Sequence, residues 1–528
     1  MVIKPLTPRL SVAPQLTVDD IARVARSGYR SIICNRPDEE SPDQPSADDI
    51  RAAAQAAGLA FAYIPAISGA LTDANASAMR SALETLPAPT LAYCRSGARA
   101  EKLAQMAGLL DDPAEADTCD VLIVGGGSAG IATAASILKR RRGIRLTILD
   151  PSEMHYYQPG WTMVGAGIFG PDFTRRAQAD LIPRGARWIR ESAAEFHPEE
   201  RQVTLGDGRR IGYQVLIVCP GISLDWGAIP GLTETLGQNG VTSNYRFDLA
   251  PYTNRLVQQF SGGRALFTQP VMPIKCAGAP QKAMYLSCHR WERMGMLART
   301  NVQFHTAGTA LFGVPTYVPP LMAYVERYGI DLAFGSKLVE IDGPAQTAIF
   351  ERSDGEGTRR VAERFDMIHV VPPQVAPEFI RTSPLAAPSG FVEVDEATLR
   401  HPRYPEIFAL GDSCSASNAK TAAAARKQAP IVAVNALAAL DGKPPVATYN
   451  GYGSCPLTVE AGKIVLAEFG YGGKLLPTFP RWLIDGTRPS RLAWLLKDTI
   501  LPPVYWHGML KGREWMVKPQ MIAAGQTT

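Results

Sequence analysis

Short apolar runs alternate with Ala-rich stretches through most of the chain. Runs of four or five β-branched and aliphatic residues, each followed by a segment of helical periodicity, predict parallel strands joined by helices. In the first part, residues 31–34, 60–64 and 90–93 read as strands. Residues 18–27, opened by Thr17 as N-cap, and 47–57, 73–86 and 101–110 read as helices. Residues 111–118 (DDPAEADT) are polar and acidic and contain a proline, which predicts a linker at 111–119. The pattern then restarts: strand 120–124, helix 131–142, strand 145–149, and a long apolar strand over 209–219. Two Rossmann-like domains are predicted within 120–450, the second at about 240–365. Residues 451–528 depart from the alternation. A helical stripe of Leu492, Leu495, Leu496 and Ile500 ends at Pro502-Pro503. Tyr505, Trp506, Met509, Leu510 and Trp515 follow in short amphipathic pieces. The tail reads as an interfacial membrane segment, with a core-packing or dimer-forming helix as the alternative.

Composition changes this picture little. A net charge of +4 over 528 residues gives no footprint for nucleic acid, although the front is acidic and the tail basic. The eight cysteines form no C-x-x-C, and no Cys/His cluster has zinc spacing, so no metal site is expected. They do not form a secreted disulfide framework. The N-terminus lacks the apolar core of a signal peptide, and no apolar run is long enough to span a bilayer. The expected location is cytoplasmic, peripheral on the inner face of the plasma membrane.

The most specific motif is DVLIVGGGSAG, in which Gly125, Gly127 and Gly130 fit G-x-G-x-x-G between a strand and a helix. The glycines allow a tight turn close to a pyrophosphate. The helix N-terminus, from Ser128 and Ala129, offers free N–H groups, and Asp150 at the next strand end can accept a ribose hydroxyl. The bland alternative is an empty Rossmann-like unit with a structural turn. Residues 391–395 (FVEVD), followed by Thr398 and then YPEIFALGDS, resemble the strand of FAD enzymes with two dinucleotide domains, in which an acid, here Asp412, meets the ribityl chain. The following helix, with Lys420 at its start, would point its positive end at the flavin. Gln158, in the aromatic loop HYYQPGW, is a further candidate cofactor contact. The middle domain lacks a second glycine fingerprint. Its strand runs into prolines and a lysine, with Cys276 where nicotinamide phosphates would approach, which argues against a nicotinamide donor.

In the first domain the chemistry sits at Cys94-Arg95-Ser96-Gly97-Ala98-Arg99. A cysteine between a strand and a helix, in a ring of N–H groups and flanked by arginines, is placed to hold an anion or a persulfide. Tyrosine phosphatases put five residues between Cys and Arg, and Ala100 stands at that arginine position; the Cys94-x4-Arg99 spacing resembles a rhodanese loop. Residues 1–110, with Gln15-Leu16-Thr17, Asn35-Arg36-Pro37-Asp38 and CRSGAR, resemble the phosphatase-like family of sulfurtransferases. The resemblance implies that Cys94 carries a sulfane sulfur steadied by Arg99 and Arg95. A phosphatase or a non-catalytic anion-binding module remains open.

Residues 120–528 resemble the sulfide:quinone oxidoreductases of the mitochondrial branch, through GGGSAG, HYYQPGWTMVGAG, PIKCAGAPQKAMYL, GDSCSASNAKTAAA, YNGYGSCPLTVEAGKIVLAEF and PPVYWHGMLKGREW. The resemblance implies oxidation of sulfide at a cysteine pair on one flavin face and transfer of two electrons through FAD to a ubiquinone-like quinone. Cys276 matches one redox cysteine. The second is expected directly after Gly-Asp, where Ser413 stands, with Cys414 one residue later. A Cys276–Cys414 pair is expected, with a one-cysteine mechanism as alternative, while Cys288 and Cys455 read as structural. The expected fold is α/β: an N-terminal phosphatase-like domain, then a two-Rossmann-domain flavoprotein of disulfide-reductase type, then a C-terminal amphipathic membrane-binding segment. Partners implied are sulfide, a thiol acceptor such as glutathione, a quinone and the membrane surface; homo-oligomerisation is left open. The rival readings are an NAD(P)H-dependent reductase of persulfides, disulfides or quinones and an N-terminal domain that only binds.

Overall fold

The computed structural model describes residues 3–7, 9–107, 117–354 and 357–523. The chain divides into two compact units, 1–117 and 118–528. Most of the linker expected at 111–119, and residues 108–110 of the fourth helix, lie outside the described residues.

The first unit is a five-stranded sheet flanked by helices. Its strands are β1 (Lys4–Thr7), β2 (Leu10–Ala13), β3 (Ser31–Cys34), β4 (Ala60–Tyr63) and β5 (Thr90–Tyr93), in the order β1-β2-β5-β3-β4. Only the β1–β2 pair is antiparallel; β2, β5, β3 and β4 run parallel and bring their C-terminal ends to one edge. The helices are α1 (Val18–Arg26), α2 (Ala47–Ala56), α3 (Asp73–Thr85) and α4 (Ala98–Met106). Local chemistry sets their starts. Thr17 with Asp20, and Ser46 with Asp49, form capping boxes that satisfy the first orphan N–H groups.

The second unit opens on β6 (Asp117–Val124), α5 (Ser128–Arg140) and β7 (Leu146–Leu149). Its seven-stranded sheet runs Ala186–Ile189, β7, β6, Arg210–Val218, Gln202–Leu205, Ala193–His197, and Ile407–Ala409 pairs in parallel with Arg210–Val218. A distant segment thus returns to the first Rossmann sheet and carries Asp412 to it. Helix Ala422–Leu440 packs along α5. A second, parallel five-stranded sheet has Gly263–Gln269 at its centre. A final hairpin, Gly453–Glu460 with Lys463–Phe469, packs on helix Ala279–Arg293.

The tail differs from its sequence-based expectation. The prolines at 502 and 503 do not end the helix. The backbone stays helical from Arg491 to Gly508, with wide i→i+5 turns at Leu496–Ile500 and Val504–Gly508 on either side of them. A widened turn relieves the clash of a proline ring with the preceding turn. Tyr505, Trp506, Met509 and Leu510, read as interfacial, are buried in the main core of this unit. The exposed apolar side chains lie instead at Trp482, Leu483, Leu492, Leu495 and Ile500, with Trp515 beyond them. Among the described residues no helix is long and apolar enough to cross a membrane.

Candidate functional site

The glycine turn between β6 and α5 has the shape the sequence predicts. A Cβ on Gly130 would lie 1.8 Å from the carbonyl oxygen of Gly125, so the helix can meet the turn only without a side chain there. Gly127 faces open space. Asp150, at the end of β7, accepts from the N–H of Gly126 at 2.5 Å and from Ser152 at 2.8 Å. Burial raises its pKa, opposed by these N–H groups.

Asp412 follows the strand Ile407–Ala409, and Lys420 stands just before helix Ala422–Leu440. Burial raises the pKa of Asp412, countered by the charges of Lys420 and Lys275. Gln158 accepts from Lys275 Nζ at 2.8 Å. Trp161 Nε1 and Thr162 Oγ1 are buried with no hydrogen-bond partner among the described residues. An open phosphate-sized turn at a helix N-terminus, an acid at the second strand end and a second acid returned from far along the chain fit FAD. Gly125, Gly127, Ser128, Ala129, Gly130 and Asp150 would hold its adenosine and pyrophosphate end, and Asp412, Lys420 and Gln158 its flavin half.

Cys276 borders this site. Its N–H donates to the carbonyl of Lys420 at 2.7 Å, which ties it to the residue that opens the flavin-side helix. Its φ is +50°, a left-handed conformation uncommon outside glycine. Its carbonyl accepts from Ala279 N–H at 2.7 Å and from the Tyr245 hydroxyl at 3.3 Å. The strand–proline turn therefore ends in a sharply bent cysteine instead of a phosphate loop. A Cβ on Gly278 would meet Leu457 at 2.4 Å and the Cys455 sulfur at 2.5 Å. The N-terminus of helix Ala279–Arg293, where a second nucleotide would dock, is closed by the C-terminal hairpin.

That hairpin corrects the expected pairing. The Cys276 sulfur is in hydrogen-bonding contact with Cys455, not Cys414. Cys414 turns its thiol back to the carbonyl of Gly411 at 3.3 Å, and burial pushes its pKa up. It is the Cys414 carbonyl that meets Lys420 Nζ, at 2.9 Å. Cys455 alternates inward with Leu457 and Val459 on its strand, so the period-2 pattern of SCPLTVE marks it as buried without naming its neighbour.

The electrostatics around the two sulfurs are asymmetric. Cys276 is held well below the ordinary thiol range by the Cys455 thiol and by Lys282 and Lys497, against the cost of burial. Its sulfur lies 3.2 Å from Lys282 Nζ. Cys455 is pushed well up by its contact with Cys276 and by burial. Burial opposes charge on Lys282, but the sulfurs outweigh it and keep the lysine protonated. Lys497, from the tail, is lowered to about 7 by burial and by Lys282; its Nζ donates to the carbonyl of Pro159 at 3.3 Å. Lys275 is lowered to about 8 by burial, against Asp412 and Cys276. Sequence reading missed Lys497, which arrives from more than two hundred residues away in the chain.

In the first unit Cys94 follows β5 and is buried. Its sulfur accepts from the N–H of Gly97 at 3.2 Å, as expected of a backbone nest. The flanking arginines are less free than expected. Glu40 clamps Arg99 at 2.6 Å and Arg36 at 2.7 Å, and Arg36 also donates to Gln15 at 2.8 Å. Arg99 Nε is buried without a partner among the described residues, while Arg95 is exposed.

The chain resembles known proteins in two blocks. Residues 3–109 match the family described as "Beta-lactamase hydrolase-like protein, phosphatase-like domain". Residues 119–257 match "Pyridine nucleotide-disulphide oxidoreductase". A Beta-lactamase hydrolase-like protein of Xylella fastidiosa is 38% identical over 23% of this chain and 28% of its own. The mitochondrial sulfide:quinone oxidoreductase of Dictyostelium discoideum is 40% identical over 75% of this chain and 87% of its own. The mouse protein of the same name is 38% identical over 74% and 86%. The solved sulfide:quinone oxidoreductase of Aquifex aeolicus superposes with a TM-score of 0.64 over 78% of this chain and all of that one, at 17% identity, which shows the shared fold. By its identity to the first two relatives over most of their length, the chain belongs to the sulfide:quinone oxidoreductase family.

Proposed function

We propose that the second unit oxidises sulfide to sulfane sulfur at Cys276 and Cys455 and delivers the electrons through FAD to a quinone. One observation carries the reading: two sulfurs in contact beside the flavin-side helix, with the buried Lys282 ammonium 3.2 Å from one of them. In the oxidised form the pair is a disulfide. HS⁻ attacks the Cys455 sulfur, the S–S bond breaks, and Cys276 leaves as thiolate, because the thiol of lower pKa is the better leaving group. Cys455 then carries the persulfide. A thiolate acceptor takes the outer sulfur and leaves two reduced cysteines. Bound FAD supplies the two-electron acceptor that reforms the disulfide and passes the pair to quinone. Lys282 holds the Cys276 thiolate, and Lys497 adds positive potential that draws HS⁻ inward. Purified protein mixed anaerobically with sulfide should lose its oxidised flavin absorbance and should keep it with NADH. Bleaching by NADH alone would favour the rival reductase.

The first unit, in this reading, is a sulfurtransferase. Cys94, nested on the Gly97 N–H, receives the sulfur, and Arg99 and Arg95 steady it; the clamp by Glu40 limits how much free charge Arg99 contributes. The tail, in this reading, rests on lipid. Trp482, Leu483, Leu492, Leu495 and Ile500 are exposed beside Arg481, Arg488 and Arg491, an apolar and basic combination that suits an anionic bilayer, where quinone resides. The joint substitution Trp482→Ser, Leu495→Ser should lower co-sedimentation with anionic vesicles severalfold while leaving activity towards a water-soluble quinone unchanged.

A further inference from the structure

The tail also reaches the dinucleotide turn, and there it completes a ring of hydrogen bonds. The carbonyl of Gly126 accepts from Gln178 Nε2 at 2.7 Å. Gln178 Oε1 faces His155 Nδ1 at 3.2 Å, His155 Nε2 faces the Tyr505 hydroxyl at 2.6 Å, and that hydroxyl faces Ser128 Oγ at 2.6 Å. Gly126 and Ser128 flank Gly127, the residue that opens on empty space. The ring therefore closes across the three residues of the pyrophosphate turn.

The direction of every proton in it follows. Gly126 offers only an acceptor, so the Gln178 nitrogen donates and its oxygen accepts. His155 Nδ1 must carry the proton facing that oxygen. Burial lowers the His155 pKa to about 4, so the ring is neutral and Nε2 is an acceptor. Tyr505 donates to Nε2, and its oxygen accepts from Ser128. All four side chains are held in one orientation, and none can rotate without breaking a buried hydrogen bond.

The segment carrying Tyr505 is strapped along α5, the helix whose N-terminus meets the phosphates. Glu514 pairs with Arg140 at 2.5 Å and accepts from Ser136 at 2.8 Å. Gly512 lies flat on Ala135, where a Cβ would approach backbone atoms to 2.9 Å. Arg426, on the helix packed beside α5, donates to the carbonyl of Trp515. Tyr505 itself packs against His155, Tyr157 and Trp506.

We propose that Tyr505 and His155 are positioning residues for FAD, and that the C-terminal strap latches the cofactor by bracing the Gly126–Ser128 turn. The brace acts through the turn. Without it, Gly127 and its neighbours sample conformations in which the N–H groups no longer converge on a phosphate, and the cofactor leaves faster.

The test uses purified holoenzyme of Tyr505→Phe, which keeps the ring packing and removes only the hydroxyl. FAD release on dilution is followed by the rise in free-flavin fluorescence. Release is expected to be about tenfold faster, as for loss of a buried hydrogen bond worth about 1.4 kcal/mol. Ser128→Ala should give a similar acceleration, and the double variant no more than either single one, because each opens the same ring. Activity lost on dilution should return with excess FAD, which a purely structural defect would not allow. Tyr213→Phe, at a buried tyrosine off the ring, should release FAD at the parental rate. FAD release unchanged within twofold in both Tyr505→Phe and Ser128→Ala would overturn the proposal, as would additive effects in the double variant. Should Tyr505→Phe fail to fold, Gln178→Leu, which removes the donor to the Gly126 carbonyl, decides by the same criterion.

Discussion

The two units hold cysteine sulfur in opposite ways. In the first, the Cys94 sulfur sits in a backbone nest on the N–H of Gly97, and Arg36 and Arg99 are paired with Glu40. In the second, Cys276 has a sulfur neighbour in Cys455 and two buried lysines, Lys282 and Lys497, for which no carboxylate partner is present among the described residues. Uncompensated buried charge is expensive unless it stabilises something of opposite sign. At Cys276 that opposite charge is the thiolate itself, so the second site stores potential for redox chemistry. In the first unit the carboxylate of Glu40 already balances Arg36 and Arg99, an arrangement that fits the proposed carrier role and not a redox one. On the proposed reading, the placement of counter-charges would separate oxidation from carriage.

The largest effect that could break this contrast comes from removing either redox sulfur. Cys276→Ser and Cys455→Ser are each expected to slow sulfide-driven flavin reduction by about 10³-fold or more in stopped-flow absorbance, since members of one catalytic unit fail together. Cys94→Ser should leave that rate within about twofold, yet lower sulfur transfer by the isolated carrier step, read as thiosulfate- or persulfide-dependent turnover, by about 100-fold or more. Equal losses in both assays would merge the two sites functionally.

A smaller, pH-dependent effect sharpens the electrostatic half of the comparison. The thiolate of Cys276 is present above its lowered pKa and is lost as pH falls through it. Lys282→Met removes a cation 3.2 Å from the sulfur, raises that pKa, and should move the acidic limb of the pH–rate profile upward by about 1 unit or more. Lys497 is charged below about pH 7 and neutral above it. As pH rises through 7 it loses the charge that draws in HS⁻, so the parental rate should soften on the alkaline side, and Lys497→Met should abolish that decline while lowering the rate at pH 6. The smallest effect is expected at Cys414. Its thiol bonds to the local backbone, at the Gly411 carbonyl and Ala416, so Cys414→Ser should cost about 1 kcal/mol of stability in denaturant titration and leave flavin reduction by sulfide intact.

Much of this was legible in the chain because it is local. The capped helices of the first unit, the glycine turn with Asp150, and the absence of a second turn before Cys276 all follow from residues close in sequence, where period, caps and glycine spacing act directly on the backbone. Asp412 was legible at a distance because its strand carries its own short motif. The sulfur neighbour of Cys276 was not. Reading Cys414 as the partner relied on adjacency to Gly-Asp, while the actual contact depends on a hairpin that packs on helix Ala279–Arg293. Inward alternation at Cys455 says that the thiol is buried and is silent about what it is buried against. Which side chains of the tail face inward was hidden for a related reason. Tyr505, Trp506 and Met509 satisfy an interfacial pattern and a core pattern equally well, and only the docking of that segment against α5 and His155 decides between them.

Sequence alone therefore determined the α/β alternation, the break into two modules, the dinucleotide turn and the candidate nucleophiles Cys94 and Cys276, because each is written in short-range backbone preference or side-chain chemistry. Tertiary structure alone decided that Cys455 meets Cys276, that Lys497 joins Lys282 beside them, that Glu40 spends the charge of Arg99, and that Tyr505 closes the ring on Ser128. These contacts join residues tens to hundreds of positions apart. Their geometry comes from packing, which has no period along the chain.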